Sequence, residues 1–242
     1  MITERGTLFI VATPIGNLED ITLRAIRILK EVDLILCENA KNSYRLLQHL
    51  GIKTPSKTLF AGQENSFKWI IDDLKGGKNF AYISDAGTPG ISDPGAGLVR
   101  QARKEGISIV PIPGPSALSA ILSVCGFQVN PTFFLGFLSE KPNRKKLELE
   151  EYVEKEGLIV FYESVYKVKA TIEIVRELFP GTEVLVGREI TKAHEEIKLY
   201  KSEEITQENI YPKGEFVILI NNYKKKIAKE KASSTDTLYR ER

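Results

Sequence analysis

The amino-acid sequence predicts an α/β protein of two domains, with a mostly parallel sheet in the N-terminal domain and a mixed sheet in the C-terminal domain. Through the first half, short apolar runs alternate with segments of helical periodicity, a pattern typical of parallel sheets covered by helices on both faces. This rhythm restarts near residues 128–131. In the last section, strand-like runs follow one another through connections too short for parallel crossovers. We therefore expect a cleft between two α/β domains.

The elements of the N-terminal domain follow from apolar runs bounded by turn residues. The predicted strands are 7–13, 33–37, 80–84 and 107–112. The predicted helices are 21–32, 41–50, 65–75, one that begins near Pro94, and 115–125.

The same criteria divide the C-terminal half. The predicted strands are 132–138, 158–163, 183–190, 195–200 and 215–220, with helices at about 144–156 and 167–179. The predicted domains are therefore 1–128 and 129–223, followed by a basic polar tail over 224–242.

Composition excludes several classes of protein. Hydrophobic residues make up 42% and charged residues 27% of the 242 residues, which is ordinary for a soluble globular chain. The two cysteines and two histidines exclude a disulfide scaffold and a histidine-rich metal centre, and we expect no metal. No apolar stretch approaches 18 residues, so we expect a cytoplasmic protein without membrane contact.

The positive charge is unevenly distributed. The net charge is +2, but the tail over 224–242 holds seven Lys and Arg against three Asp and Glu, so residues 1–223 carry a net charge of −2. The body is therefore not a broadly basic nucleic-acid binder. Its densest basic patch, KPNRKK at 141–146, is the candidate surface for RNA. The candidate RNA-binding residues are Lys141, Arg144, Lys145 and Lys146.

Three loops follow the carboxyl ends of predicted strands, which is where open α/β sheets place their ligands. They are 13–20, 84–97 and 111–118, and the second has four glycines and two prolines. Such a loop can approach a ligand closely and bind it through backbone groups. Neither GxGxxG nor GxxxxGK[ST] occurs, which disfavours a dinucleotide dehydrogenase or a nucleoside-triphosphate enzyme.

Seven motifs carry a resemblance to a known family. They are ATPIGNLEDITLRA (12–25), SDAGTPGISDPG (84–95), PIPGPSALSA (111–120), FLGFL (134–138), FYES (161–164), REITKAHEE (188–196) and KGEF (213–216). In this order they resemble the bacterial 16S ribosomal RNA cytidine 2′-O-methyltransferases, a branch of the tetrapyrrole methylase superfamily. Three segments differ from the family's usual sequence: 37–41, 61–65 and 163–167.

The resemblance implies S-adenosylmethionine as methyl donor, in a cleft between two α/β domains, a homodimer, and 16S ribosomal RNA on the small subunit as substrate. It implies that the donor is held by Pro14, Ala86, Gly87, Thr88, Pro89, Ile91, Ser116, Ala117, Tyr162, Glu189 and Glu215. For proton handling the candidates are Glu189, Lys192 and Glu38. A Lys base would need a lowered pKa and a carboxylate base a raised one. A small-molecule tetrapyrrole methyltransferase and a substrate-divergent or non-catalytic RNA-binding relative remain as alternatives.

Overall fold

The computed structural model describes residues 5–59, 67–91, 95–211 and 213–223. Within them the chain forms two five-stranded sheets. The segment 61–65 and the tail 224–242, both singled out from the sequence, lie outside the described residues.

The first sheet is parallel throughout its described strands. Its order is β3-β2-β4-β1-β5, from β1 (Thr7–Val11), β2 (Leu34–Cys37), β3 (Ser56–Thr58), β4 (Phe80–Ile83) and β5 (Ser108–Ile112). Its helices are α1 (Leu23–Glu31), α2 (Ala40–His49), α3 (Phe67–Lys75), α4 (Gly95–Lys104) and α5 (Ala117–Val124). Every residue of β4 is buried because separate apolar clusters cover the two faces of the sheet, which explains its uninterrupted apolar sequence.

The second sheet is mixed, as predicted. Its order is β6-β7-β10-β8-β9, from β6 (Thr132–Phe137), β7 (Leu158–Ser164), β8 (Glu183–Arg188), β9 (Glu196–Lys201) and β10 (Glu215–Asn221). β6 and β7 are parallel and the other pairs are antiparallel. Helices α6 (Pro142–Glu150) and α7 (Val168–Leu178) cover one face.

The opposite face of the second sheet packs against α5. Ile121 of α5 is buried against Val160 of β7 and Leu219 of β10, in a cluster that Ile15 of the first half also contacts. This packing brings the carboxyl ends of β1 and β4 towards the second sheet. Apolar burial between the halves therefore positions the loops that the sequence singled out. The boundary at 128/129 stays a prediction.

Candidate active site

A cavity of about 330 Å³ lies between the loops at the carboxyl ends of the parallel strands and the adjacent end of the second sheet. Its size and its mixture of apolar walls and a few polar groups are typical of small-ligand sites. It collects most of the residues proposed from the sequence. They are Glu38, Ala86, Gly87, Thr88, Ile91, Ser116, Ala117, Tyr162, Glu189, Lys192 and Glu215.

Backbone hydrogen bonds join the three loops of the first sheet into one wall. The N–H of Thr13 donates to the carbonyl of Gly87 at 2.9 Å, and the N–H of Gly87 donates to the carbonyl of Thr13 at 3.0 Å. The hydroxyl of Thr88 donates to the carbonyl of Pro115 at 3.0 Å. Gly87 has φ +79°, and a Cβ there would lie 3.2 Å from Ile15, so glycine suits both its conformation and its packing.

Two residues assigned to the donor site lie elsewhere. Pro14 and Pro89 are buried and do not line the cavity. They belong to the loops that form its wall, so their contribution is to fix φ in those loops. Contact between either proline and the donor stays a prediction.

Aromatic side chains form the wall contributed by the second sheet. The ring of Tyr162 packs edge-on against Phe134 and Phe137, with centroids 5.0 and 5.4 Å apart. Burial raises the pKa of the Tyr162 hydroxyl, an effect that hydrogen bonds with Leu118 and Ser116 only partly offset. Tyr162 therefore remains a neutral phenol at physiological pH.

Glu189, Lys192 and Glu215 form an ion-paired cluster at the cavity. The Lys192 ammonium lies 2.8 Å from one carboxylate oxygen of Glu189 and 2.8 Å from one of Glu215. The N–H of Glu215 also donates to the Glu189 carboxylate at 3.0 Å. Glu189 adopts φ +51°, which is uncommon for a residue with a side chain, and a Cβ at Gly214 would lie 2.6 Å from its carboxyl carbon. The cluster is thus held by neighbouring backbone.

The ionisation of this cluster follows from its contacts. Burial alone would lower the pKa of Lys192, but hydrogen bonds to Glu189 and Glu215 raise it above its ordinary value. Burial alone would raise the pKa of Glu189, but the hydrogen bonds from Lys192 and from the N–H of Glu215 hold it below its ordinary value. Neither residue has the pKa shift that the sequence-based hypothesis of a general base required. Lys192 is a cation at neutral pH.

The cluster contacts the first sheet's loops across the cavity. The backbone N–H of Asn17 donates to the Thr191 hydroxyl at 3.2 Å. A Cβ at Gly16 would lie 2.9 Å from that hydroxyl and closer still to the Lys192 side chain. The glycine therefore permits a close approach between the two halves.

Glu38 lies on the opposite wall, directly after β2. Its carboxylate accepts a hydrogen bond from the N–H of Asp85 at 3.2 Å, and the Asp85 carboxylate accepts one from the Asn42 amide at 2.8 Å. Both Glu38 and Asp85 line the cavity. The variant segment 37–41 therefore adjoins the site.

The structure removes one of the four candidate RNA-binding residues at 141–146 from the surface. Lys145 is buried, where its ammonium contacts the Glu163 carboxylate and the Thr171 hydroxyl, so it cannot reach a phosphate in this structure. Lys146 is paired with Glu177, and Arg144 lies 3.5 Å from Glu148. Lys141 is exposed, and none of the four lines the cavity.

Sequence reasoning did not single out eight residues that line the cavity. They are Ile15, Ser84, Asp85, Phe137, Glu163, Ile190, Phe216 and Val217. Seven of them lie within the loops and motifs named from the sequence, and Val217 directly follows the last motif. Their selection required knowing which side of each strand end faces the cavity.

The family model for Tetrapyrrole (Corrin/Porphyrin) Methylases matches residues 7–206. Ribosomal RNA small subunit methyltransferase I of Leptospira biflexa is 58% identical, over 96% of this chain and 98% of that protein. The protein of the same name from Thermotoga maritima is 42% identical over 89% and 98%. This chain belongs to the ribosomal RNA small subunit methyltransferase I family, within the tetrapyrrole methylases. It is therefore a methyltransferase.

Solved structures agree with this fold. Uroporphyrin-III C-methyltransferase from Thermus thermophilus, complexed with S-adenyl homocysteine, matches 89% of this chain and 97% of its own with a TM-score of 0.63 at 16% identity. The methyltransferase CobJ matches 90% and 94% with a TM-score of 0.66 at 17% identity. The fold predicted from the family resemblance is confirmed.

The described ranges hold no group of three or more His, Cys, Asp or Glu that could bind a metal ion. Nor does any helix in them have the length and apolarity needed to cross a membrane.

Proposed function

We propose that this methyltransferase uses S-adenosylmethionine to methylate the ribose 2′-hydroxyl of a cytidine in 16S ribosomal RNA. The observation that carries the donor assignment is the charge of the cavity. The acidic residues of its wall are Glu38, Asp85, Glu163, Glu189 and Glu215, whereas Lys192 is the one basic residue that its described lining contains. A donor with a sulfonium and an ammonium group is favoured by such a site.

The residues present also fit the donor's apolar and polar parts. Ile15, Ile91 and Ala117 offer apolar contact, and the backbone of 84–91 approaches the cavity without bulky side chains. Gly87 leaves space that a Cβ would narrow, and the Ser116 and Thr88 hydroxyls lie at the same wall. We propose that these loops hold the donor, and that Tyr162, Glu189 and Glu215 close the site.

When bound, S-adenosylmethionine supplies an electrophilic methyl group. The protein's own residues align the acceptor hydroxyl and exclude water from it. Tyr162 and Phe137 shield the site on one side, and the Lys192 ammonium fixes the two carboxylates on the other.

A carboxylate with a lowered pKa can still accept the proton. The acceptor oxygen becomes strongly acidic as its new carbon–oxygen bond forms, so the proton acceptor does not have to be a strong base. We propose that Glu189 accepts a hydrogen bond from the hydroxyl and takes its proton late in the transfer. Lys192 then acts as a positioning residue that keeps Glu189 ionised, and Glu38 remains an alternative acceptor.

The names of the relatives from Leptospira biflexa and Thermotoga maritima support a substrate on the small ribosomal subunit. The proposal therefore places the protein in the cytoplasm, where that substrate occurs. It retains the homodimer implied by the sequence resemblance.

Transfer of labelled methyl from S-adenosylmethionine to three acceptors tests the proposal. The acceptors are small subunits that lack the modification, free 16S RNA, and uroporphyrinogen III. We expect label in 2′-O-methylcytidine of the subunits and none in the tetrapyrrole. Label in the tetrapyrrole alone would support the small-molecule alternative, and binding of RNA without transfer would support a non-catalytic relative.

A further inference from the structure

The acidic lining of the cavity does not favour the binding of RNA. The carboxylates that favour a cationic donor repel the phosphates of a polyanionic acceptor. Attraction for RNA must therefore come from a surface beside the cavity. The patch at 141–146 supplies less of it than its sequence indicates, because Lys145 is buried and Lys146 and Arg144 lie beside carboxylates.

A second basic segment adjoins the cavity directly. Residues 39–59 contain four basic residues and no Asp or Glu. The four are Lys41, Arg45, Lys53 and Lys57. All four are exposed, and none forms an ion pair with another described residue. The Lys57 ammonium instead lies 4.0 Å from the ring centroid of Trp69.

Helix α2 arranges part of this segment on one face. Ser43, Leu46 and Leu47 are buried, so the helix packs on the sheet through that side. Residues three and four apart are neighbours on a helix, which places Tyr44 and Arg45 beside Lys41 on the outer side. The Tyr44 side chain is 62% exposed. An exposed aromatic ring beside exposed cations is an arrangement that binds single-stranded nucleic acid.

The amino end of α2 touches the cavity wall. Glu38 lies two residues before α2, and Asn42 in the first turn of the helix donates to Asp85. Glu38 and Asp85 are both wall residues. Helix residues rise about 1.5 Å each, so Lys41, Tyr44 and Arg45 together span about 6 Å of the axis in the first two turns. An RNA strand with one nucleotide in the cavity would pass this face.

We propose that Lys41, Tyr44 and Arg45 form an RNA-docking face for the single-stranded segment that flanks the target nucleotide. Lys41 and Arg45 contact phosphates, and the Tyr44 ring stacks on a neighbouring base. The inference rests on the proposed function and replaces 141–146 as the principal basic contact. Charge complementarity and continuity with the cavity both favour RNA as the occupant.

The test compares three full-length variants with wild type. They are Lys41→Gln/Arg45→Gln, Tyr44→Ala and the control Arg103→Gln/Lys104→Gln. The control removes two exposed cations from the last turn of α4. This turn lies near the amino ends of the parallel strands, whereas the cavity lies at their carboxyl ends. Measurements are KM and kcat on small subunits, binding of free 16S RNA over a range of salt concentrations, donor affinity by calorimetry, and oligomeric state by light scattering.

We expect Lys41→Gln/Arg45→Gln to raise KM for subunits about tenfold. It should also reduce the slope of log K for RNA binding against log salt concentration by about 1.4, the value for two lost phosphate contacts to a single strand. Tyr44→Ala should raise KM severalfold without changing that slope. Donor affinity and kcat at saturating subunits should be unchanged in both, and the control should match wild type.

Three results would overturn the proposal. In the first, wild type methylates subunits, but both α2 variants bind RNA and have KM values equal to those of the control. The proposed function would then stand without this docking face. The second is dissociation of a dimer by Tyr44→Ala, which would assign the face to a second copy. The third is a wild type that binds donor but neither binds nor methylates RNA, which would also end the proposed function.

Discussion

Two lysines in the second half of the chain each contact two oxygen-bearing side chains, but one lysine is buried and the other lines the cavity. Lys145 contacts Glu163 and Thr171 with only 3% of the lysine and glutamate side chains exposed. Lys192 contacts Glu189 and Glu215 with 29% of its side chain exposed, at the cavity. The first group connects α6, β7 and α7 in the core, whereas the second connects strand ends beside the cavity.

The difference shows that burial, more than residue type, decides what a charged pair does. A buried lysine that loses its carboxylate, or a carboxylate that loses its lysine, has no water to replace the partner. At the cavity edge, water can replace a lost partner, so stability depends less on the pair. What changes there is the position and ionisation of a carboxylate that the chemistry uses.

The largest expected effect is on folding. Lys145→Met leaves the Glu163 carboxylate buried without its ammonium, so we expect a loss of about 3–5 kcal/mol in the free energy of unfolding. Denaturant titration measures it. The control Lys146→Met removes a partly exposed ion pair with Glu177 and should cost less than about 1 kcal/mol.

A second variant separates the charge from the packing. Lys145→Met/Glu163→Leu removes both charges together and should recover most of the stability lost by Lys145→Met. Equal destabilisation by the single and double variants would contradict the buried-pair explanation.

The next effect is on turnover. Lys192→Met removes the cation that holds Glu189 and Glu215, so we expect kcat to fall about 100-fold, as for loss of one preorganised electrostatic contact. The free energy of unfolding should change by less than about 1 kcal/mol. Single-turnover methylation and denaturant titration measure the two. Lys198→Met, which removes an exposed pair with Glu196, is the control and should leave turnover unchanged.

A smaller effect is expected at Gly214. Gly214→Ala places a Cβ against the Glu189 side chain at a backbone with φ +97°, so it should lower kcat/KM about tenfold and stability by about 1–2 kcal/mol. Gly51→Ala has φ +62° with nothing within 4 Å of the added Cβ, which makes it a control for backbone strain alone. Equal kinetics in the two variants would disprove a role for the Gly214–Glu189 contact.

The smallest effect concerns pH. The lowered pKa of Glu189 contributes stability that is present at neutral pH and is lost as pH falls through that pKa, on the acid side of the ordinary range of a glutamate. The raised pKa of Lys192 contributes stability that is lost only above about 10.4. We therefore expect kcat on subunits to show no ionisation of Glu189 or Lys192 between about pH 5.5 and 9. A steep change near pH 7 that disappears in Lys192→Met would refute this ionisation state.

The fold was largely predictable because its signals are local. The apolar runs at 80–84 and 107–112 and the glycine-rich loop at 84–97 identify strands and loops directly. Strand β3 escaped prediction because Ser56–Thr58 is a polar edge strand without an apolar pattern. Cavity residues could be predicted where a sequence motif covers a whole loop, as it does around Gly87 and Glu189.

Burial was harder to predict at Lys145. Its neighbours Lys141 and Arg144 are exposed and close in sequence, yet Lys145 packs inward because it lies one helical turn before the buried Leu149. Its partners Glu163 and Thr171 come from other elements, so no local pattern indicates the pair. The proposed RNA-docking face on α2 was not predicted, because its cations are separated along the helix and form no consecutive basic run in the sequence.

The central claim is that the cavity between the two sheets holds the methyl donor. Hydrogen exchange of the full chain, with and without S-adenosylhomocysteine, tests it most directly. We predict slower exchange of backbone amides at 84–91, 116–118 and 189–192 when the ligand is bound, and no change at 142–150. Protection confined to the surface around Arg188, His194 and Tyr211, where a second cavity lies, would contradict the account.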